Sequence, residues 1–138
     1  MTISLQPLIL VSGSRFHNSR TLIETTVANA VEELLPDGFS ILIHGACRTG
    51  ADAIADRWAR RQLTGIQHVE TFPAQWERLG KAAGPVRNES MVQRAWVQQQ
   101  AGARVIVLAF PLGQSLGTNG LIKMAKAAKL NDIRVITG

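Results

Sequence analysis

The chain has 138 residues and a mass of 15.0 kDa, with 46% hydrophobic and 18% charged residues. That is enough apolar material for one buried core, and no apolar run approaches the roughly 20 residues of a membrane-spanning helix; extended disorder and membrane spanning are excluded as main themes. Fifteen Lys and Arg against ten Asp and Glu give a net charge of +5, distributed as −2 over residues 1–47 and +7 over residues 48–138, an excess that favours anionic partners or serves solubility alone.

Met1 to Leu10 carries no basic segment ahead of its short apolar stretch, so no export signal is read. The single cysteine, Cys47, cannot form an internal disulfide, and a reducing, cytoplasmic setting is expected. The first strand is predicted over Pro7 to Ser12, followed by a helix with Leu22, Val27, Ala30, Val31 and Leu34 at helical spacing. A second strand over Ser40 to His44 leads to a helix with Ala51, Ile54, Ala55 and Trp58, and a third over Ile66 to Phe72 precedes a helix with Met91, Val92, Ala95 and Trp96. The fourth strand, Arg104 to Phe110, leads to a helix with Leu121, Met124, Ala125 and Ala128, and a fifth covers Ile133 to Ile136. Near-continuous apolar strands suit a sheet covered on both faces. Gly102 reads as the stop of the third helix, and Lys126 and Lys129 suit the negative end of the fourth.

Strict alternation of strand and helix implies a parallel sheet with right-handed crossovers: an α/β, Rossmann-like three-layer domain with a five-stranded sheet. Residues 1–138 read as one domain, without repeats, low-complexity tracts or linkers. The connection from Pro73 to Ala103 is the longest, which suits a chain crossing the sheet to resume beside the first strand in the order 3-2-1-4-5.

The unusual residues fall just after strand ends, on the rim where open parallel sheets bind ligands. They are Gly13, Ser14 and Arg15; His44, Gly45, Cys47, Arg48, Gly50 and Asp52; Trp76; and Gly113, Gly117 and Thr118. Glycines let backbone amides approach phosphate oxygens where a helix begins, and Gly117-Thr118 is the leading pair, with Gly50 its rival. The same glycines also serve simply to turn the chain. Arg87, beside Asn88 after Gly84-Pro85, reads as a positioned guanidinium in a rigid turn, with Arg15 next to it in rank. Asp52 suits either a ribose hydroxyl or its helix dipole; His44 suits acid–base work or a structural bond; Trp76 and Phe110 suit stacking or packing, and Trp58 and Trp96 read as core. Three scattered histidines and no CxxC or HxxxH argue against a metal site, and neither GxGxxG nor GxxxxGK[ST] is present.

Gly13-Ser14-Arg15, His44-Gly45-Ala46-Cys47 with Thr49-Gly50-Ala51-Asp52, Phe72-Pro73-Ala74-Gln75-Trp76, Gly80 with Ala83-Gly84-Pro85 and Arg87-Asn88 through Met91, and Phe110-Pro111 with Gly117-Thr118 form five ordered motifs. In these the chain resembles the YspA-like branch of the SLOG superfamily, from about Leu8 to Val135. The superfamily also includes the lonely-guy phosphoribohydrolases and the DNA-processing protein A family. The resemblance implies a Rossmannoid pocket for nucleotides or nucleotide-derived ligands, and binding or sensing more firmly than any reaction. The lonely-guy motif Pro-Gly-Gly-x-Gly-Thr-x-x-Glu departs here: the loop from Pro111 to Thr118 is longer, and Leu121 stands where that family has its catalytic glutamate. Gln75 also stands where the branch has an acidic residue before the tryptophan.

The expected function is binding of a nucleotide, ADP-ribose or related phosphate-bearing ligand, with Gly117 and Thr118 on phosphate, Arg87 and Arg15 neutralising it, and Asp52 or Asn88 on ribose. The alternatives are an N-glycosidic or phosphoribosyl hydrolase using Asp52 or Glu89 as the acid–base group, and a nucleic-acid-binding module, for which the 5% aromatic content offers few stacking platforms. No cofactor and no membrane partner is expected. Weak nucleic-acid binding and a homodimer are the remaining partner expectations.

Overall fold

The computed structural model describes residues 5–137. Met1 to Ser4, part of the segment read above for an export signal, lie outside the described residues. Twelve elements alternate as the periodicities require: β1 (Leu8–Gly13), α1 (Arg20–Leu34), β2 (Ser40–His44), α2 (Gly50–Arg60), β3 (Ile66–Thr71), a short α3 (Trp76–Leu79), α4 (Ala83–Gln100), β4 (Val105–Phe110), α5 (Leu116–Ala127) and β5 (Ile133–Val135), with 3-10 turns at Leu35–Asp37 and Gly80–Ala82. All strand pairs are parallel, and the sheet order is β3-β2-β1-β4-β5. The fold is therefore the α/β, three-layer Rossmann-like sandwich expected from the sequence.

Alternation of side chains along each strand splits the core in two. Ile9, Val11, Leu42, Ile106, Leu108 and Phe110 face α1 and α2, where Ile23, Val27, Ala30, Leu34, Ala51, Ala55 and Ala59 meet them. Leu8, Leu10, Ile41, Ile43, Val105 and Val107 face the opposite layer, with Met91, Val92 and Ala95 of α4 and Leu121 and Ala125 of α5. Leu121, apolar where the lonely-guy enzymes keep a glutamate, is fully buried in this second core. The chain moves outward from β1 to β3 with helices on one face, then crosses through α3 and α4 to β4 on the other side of β1. The loops after β1 and β4 consequently part at this switch point.

Several local expectations are corrected. Covering on both faces holds for β1, β2 and β4, but β3 is an edge strand, with Gln67 and His68 exposed, and β5 is a short edge of three residues. Ile23, not Leu22, is the first fully buried residue of α1. Trp96 is not core: it is 38% exposed on α4, whereas Trp58 does pack against the first core. Gly84 and Pro85 do not form a turn ahead of Arg87; they lie within the first turn of α4, where the missing Pro85 N–H removes no helix bond. Gly102, at φ 104°, does terminate α4, its amide bonding the Gln99 carbonyl at 2.9 Å. No helix among the described residues is long and apolar enough to cross a membrane.

Candidate functional site

The rim is assembled from backbone contacts between successive loops. The Ser14 amide donates to the Phe110 carbonyl at 3.1 Å, and the Ser14 carbonyl accepts from the amides of His17 (3.1 Å) and Ala51 (3.2 Å). The Thr49 hydroxyl donates to the Arg15 carbonyl at 2.8 Å. These bonds close the start of α2 against the β1–α1 loop. Gly50 has φ 76°, and a Cβ there would overlap the Ser14 carbonyl and the Arg15 backbone, so this glycine serves chain packing. Gly13 ends β1 between Ala51 and Phe110. Arg15 is exposed, its guanidinium 5.0 Å from the Phe16 ring centroid. The β1–α1 loop thus spends its polar groups on its neighbours.

The loop after β2 is organised by His44. Its Nδ1 accepts from the Ala46 amide at 3.0 Å, so the proton of the neutral ring sits on Nε2, which donates to Asp56 Oδ1 at 2.8 Å. Both ring nitrogens are occupied and the side chain is buried, leaving no free nitrogen for acid–base work. Asp56 is raised by burial, but bonds from Arg60 and His44 outweigh this and hold its carboxyl below the ordinary value. Asp52, one turn earlier on α2, is buried and accepts from the Cys47 amide at 3.3 Å. Burial pushes the Asp52 pKa up, against the opposing pull of His44 and Arg87. Burial, then the Asp52 charge, also raises the Cys47 thiol, which makes it a poor nucleophile.

Arg87 and Asn88 join this loop to the other half of the rim. Arg87 Nη1 donates to the Gly45 carbonyl and Nε donates to Asn88 Oδ1 at 2.9 Å, while Asn88 Nδ2 donates to the Gly117 carbonyl at 3.1 Å. The opposite amide orientation would set donor against donor, so the network fixes the buried Asn88 side chain. Gly45 is the place where the guanidinium lies over the backbone; a Cβ there would strike Arg87. Beyond Asn88, α5 opens at Leu116. Among the described residues no carbonyl accepts the amides of Leu116, Gly117 or Thr118, and no side chain caps them. Thr118 is buried, Gly117 is exposed with open space around it, and Gly113, at φ 53°, is exposed in the preceding loop, its carbonyl accepting from the Ser115 amide at 3.1 Å.

A cleft of about 390 Å³ lies between the β3–α3 connection and α4, lined by Phe72, Leu79, Val86, Arg78 and Arg87 among others. Trp76 is 59% exposed and rests beside Gly84, while its outer surface borders a second hollow with Ala74 and Glu77. Glu89 is exposed on α4 and makes no hydrogen bond or ion pair among the described residues. The structure thus joins Gly45, Arg87, Asn88 and Gly117 in one chain of bonds, with Thr118 at its α5 end and Asp52 bonded separately to the Cys47 amide, and leaves Arg15 and Glu89 apart from these bonds. Sequence reading passed over Asp56, Arg78 and His17. Asp56 was signalled by its four-residue spacing from Asp52 on one helix face, whereas nothing in the sequence marks the burial of His17 against Phe110. No group of three His, Cys, Asp or Glu residues among those described is placed to hold a metal ion.

The family described as YspA, cpYpsA-related SLOG matches residues 7–79, a stretch that carries Gly13 to Arg15, the His44 loop, Asp52 and Trp76 but stops before Arg87. The chain is also similar to the Gene 61 protein of Mycobacterium phage D29, at 41% identity over 122 residues, which cover 87% of this chain and 89% of that protein. No solved structure matches it. With its motifs in the order of the strand ends and that match over more than half of its length, the chain belongs to the YspA, cpYpsA-related SLOG family.

Proposed function

We propose that the rim binds a nucleotide or nucleotide-derived phosphate ligand and acts as a binding or sensing module. The observation that carries this reading is the chain of bonds from Gly45 through Arg87 and Asn88 to Gly117, which holds a partly buried guanidinium beside a helix start with three uncommitted amides. A guanidinium fork and helix-start amides are the two donor types that suit phosphate oxygens, and the helix dipole adds to both. Thr118 adds a hydroxyl, and Asp52, bonded to the Cys47 amide of the loop that Arg87 also holds, offers a carboxylate for a ribose hydroxyl. Family membership is consistent with such a ligand.

Calorimetric titration with AMP, ADP and ADP-ribose tests it. At least one should bind, and Arg87→Ala should weaken that binding by about 1–3 kcal/mol, the scale of a lost charge-assisted hydrogen bond. Unchanged affinity in Arg87→Ala protein removes the guanidinium from the site.

Asp52 supports a second reading, hydrolysis of an N-glycosidic bond, because a buried carboxyl with a raised pKa suits a general acid. Glu89 lends it no support, being exposed and unpaired. Binding without turnover is the favoured outcome, and release of free base from nucleoside monophosphates that disappears in Asp52→Asn protein reverses the order.

A further inference from the structure

The cleft beside α4 is cationic. Two guanidinium groups, Arg78 and Arg87, line it together with the neutral polar residues Thr71, Gln75 and Ser90, and no carboxylate does. Arg20, Arg60, Arg61, Arg94, Arg104 and Arg134 each have a carboxylate within 4.0 Å, whereas among the described residues Arg78 and Arg87, like Arg15, Arg48 and Arg57, have none; Arg78 and Arg87 line one cleft together. The acids close in sequence do not supply one. Glu70 is held by Arg94 at 2.9 Å and His68 at 2.8 Å, and Glu77, which shares the neighbouring hollow with Arg78, makes no ion pair with it. Phe72, Leu79 and Val86 form the apolar part of the wall, which lowers the local dielectric and strengthens the field of the two cations.

Arg87 belongs both to this lining and to the bond chain that ends at Gly117. Resting on the phosphate-ligand reading above, we infer that the cleft takes a second anionic group of the same ligand. The ligand class is then a diphosphate ester, such as a nucleoside diphosphate or a compound joined through a diphosphate, rather than a nucleoside monophosphate. One anionic group meets the α5 amides, the other sits before Arg78, and Arg87 serves both. A cleft of about 390 Å³ has room for a phosphoryl group and part of its substituent.

The test is calorimetry on the full chain with AMP and ADP, comparing the natural protein with Arg78→Ala and Arg87→Ala. Arg78 is exposed and its side chain makes no hydrogen bond among the described residues, so its removal should leave the fold intact, as a thermal melt would verify. ADP should bind about tenfold more tightly than AMP, and Arg78→Ala should abolish that difference by weakening ADP about tenfold while leaving AMP within about twofold. Equal losses for both nucleotides, or no loss of ADP binding, overturn the second anionic position while the rim reading stands if Arg87→Ala still weakens both. Failure of both nucleotides to bind the natural protein removes the rim reading and this inference with it.

Discussion

Arg87 is held in place by acceptors that leave it without a carboxylate partner, and that distinguishes it from the arginines of the surface ion pairs. Gly45 makes this placement possible, and the two residues can be separated experimentally. A methyl group at position 45 would meet the far end of a flexible side chain, so Gly45→Ala should cost little stability yet displace the guanidinium. Ligand affinity should fall about as far as in Arg87→Ala, with the melting temperature nearly unchanged; calorimetry and a thermal melt on one sample decide it. Gly50 is the contrast, because its positive φ and the crowding from Ser14 and Arg15 oppose any side chain. Gly50→Ala should destabilise the fold by about 2 kcal/mol or more in urea titration. Asp52 has a stability signature of its own. Its pKa is raised in the folded chain, so ionised Asp52 opposes folding, and stability is lost as pH climbs from the ordinary value of 3.8 through the raised one. Asp52→Asn should therefore melt at a higher temperature than the natural protein at neutral pH, the difference vanishing in acid, where both side chains are neutral.

At the scale of elements, most strands and helices were legible because the apolar spacing changes from near-continuous runs to a helical period at each boundary. Leu8 to Val11 and Val105 to Phe110 are buried throughout, which only a central parallel strand explains. The long connection after β3 likewise pointed to the crossover that sets the strand order. The start of α4 was not legible, since Gly84 and Pro85 are common turn formers and only the surrounding packing shows them inside a first helical turn. Trp96 misled for a related reason: its spacing on α4 matches the buried stripe, but its ring lies at the stripe's edge. The site was half legible. Glycines and arginines at strand ends marked the rim, but the pairing of Asn88 with Gly117 across 29 residues is a tertiary contact without a local signal. Asn88→Ala should cost about 1–3 kcal/mol in denaturant unfolding, since it removes the buried amide that accepts from Arg87 and ties α4 to the Gly117 carbonyl of α5.

For the whole molecule, charge and pH behaviour follow from the same groups. Glu70 is held below its ordinary range first by Arg94, and Glu33 by Arg134; with Asp56 they contribute stability present above the ordinary carboxylate values and lost as pH falls through their depressed ones. His17 acts at higher pH. Burial lowers its pKa, so the folded chain favours the neutral ring, and stability begins to fall as pH drops below 6.5. Urea melts between pH 7 and 5 should show this early loss, and His17→Gln should flatten it. The excess of positive charge after residue 47 should give weak duplex DNA binding that declines steeply with salt. The central claim, that a phosphate-bearing nucleotide ligand occupies the rim at the α5 start, is tested most directly by amide NMR spectra recorded during titration with ADP. The largest shifts should fall at Gly117, Thr118, Arg87 and Asn88. Saturating ADP that leaves those four amides unmoved, or shifts confined to the β5 edge and the outer face of α1, would contradict it.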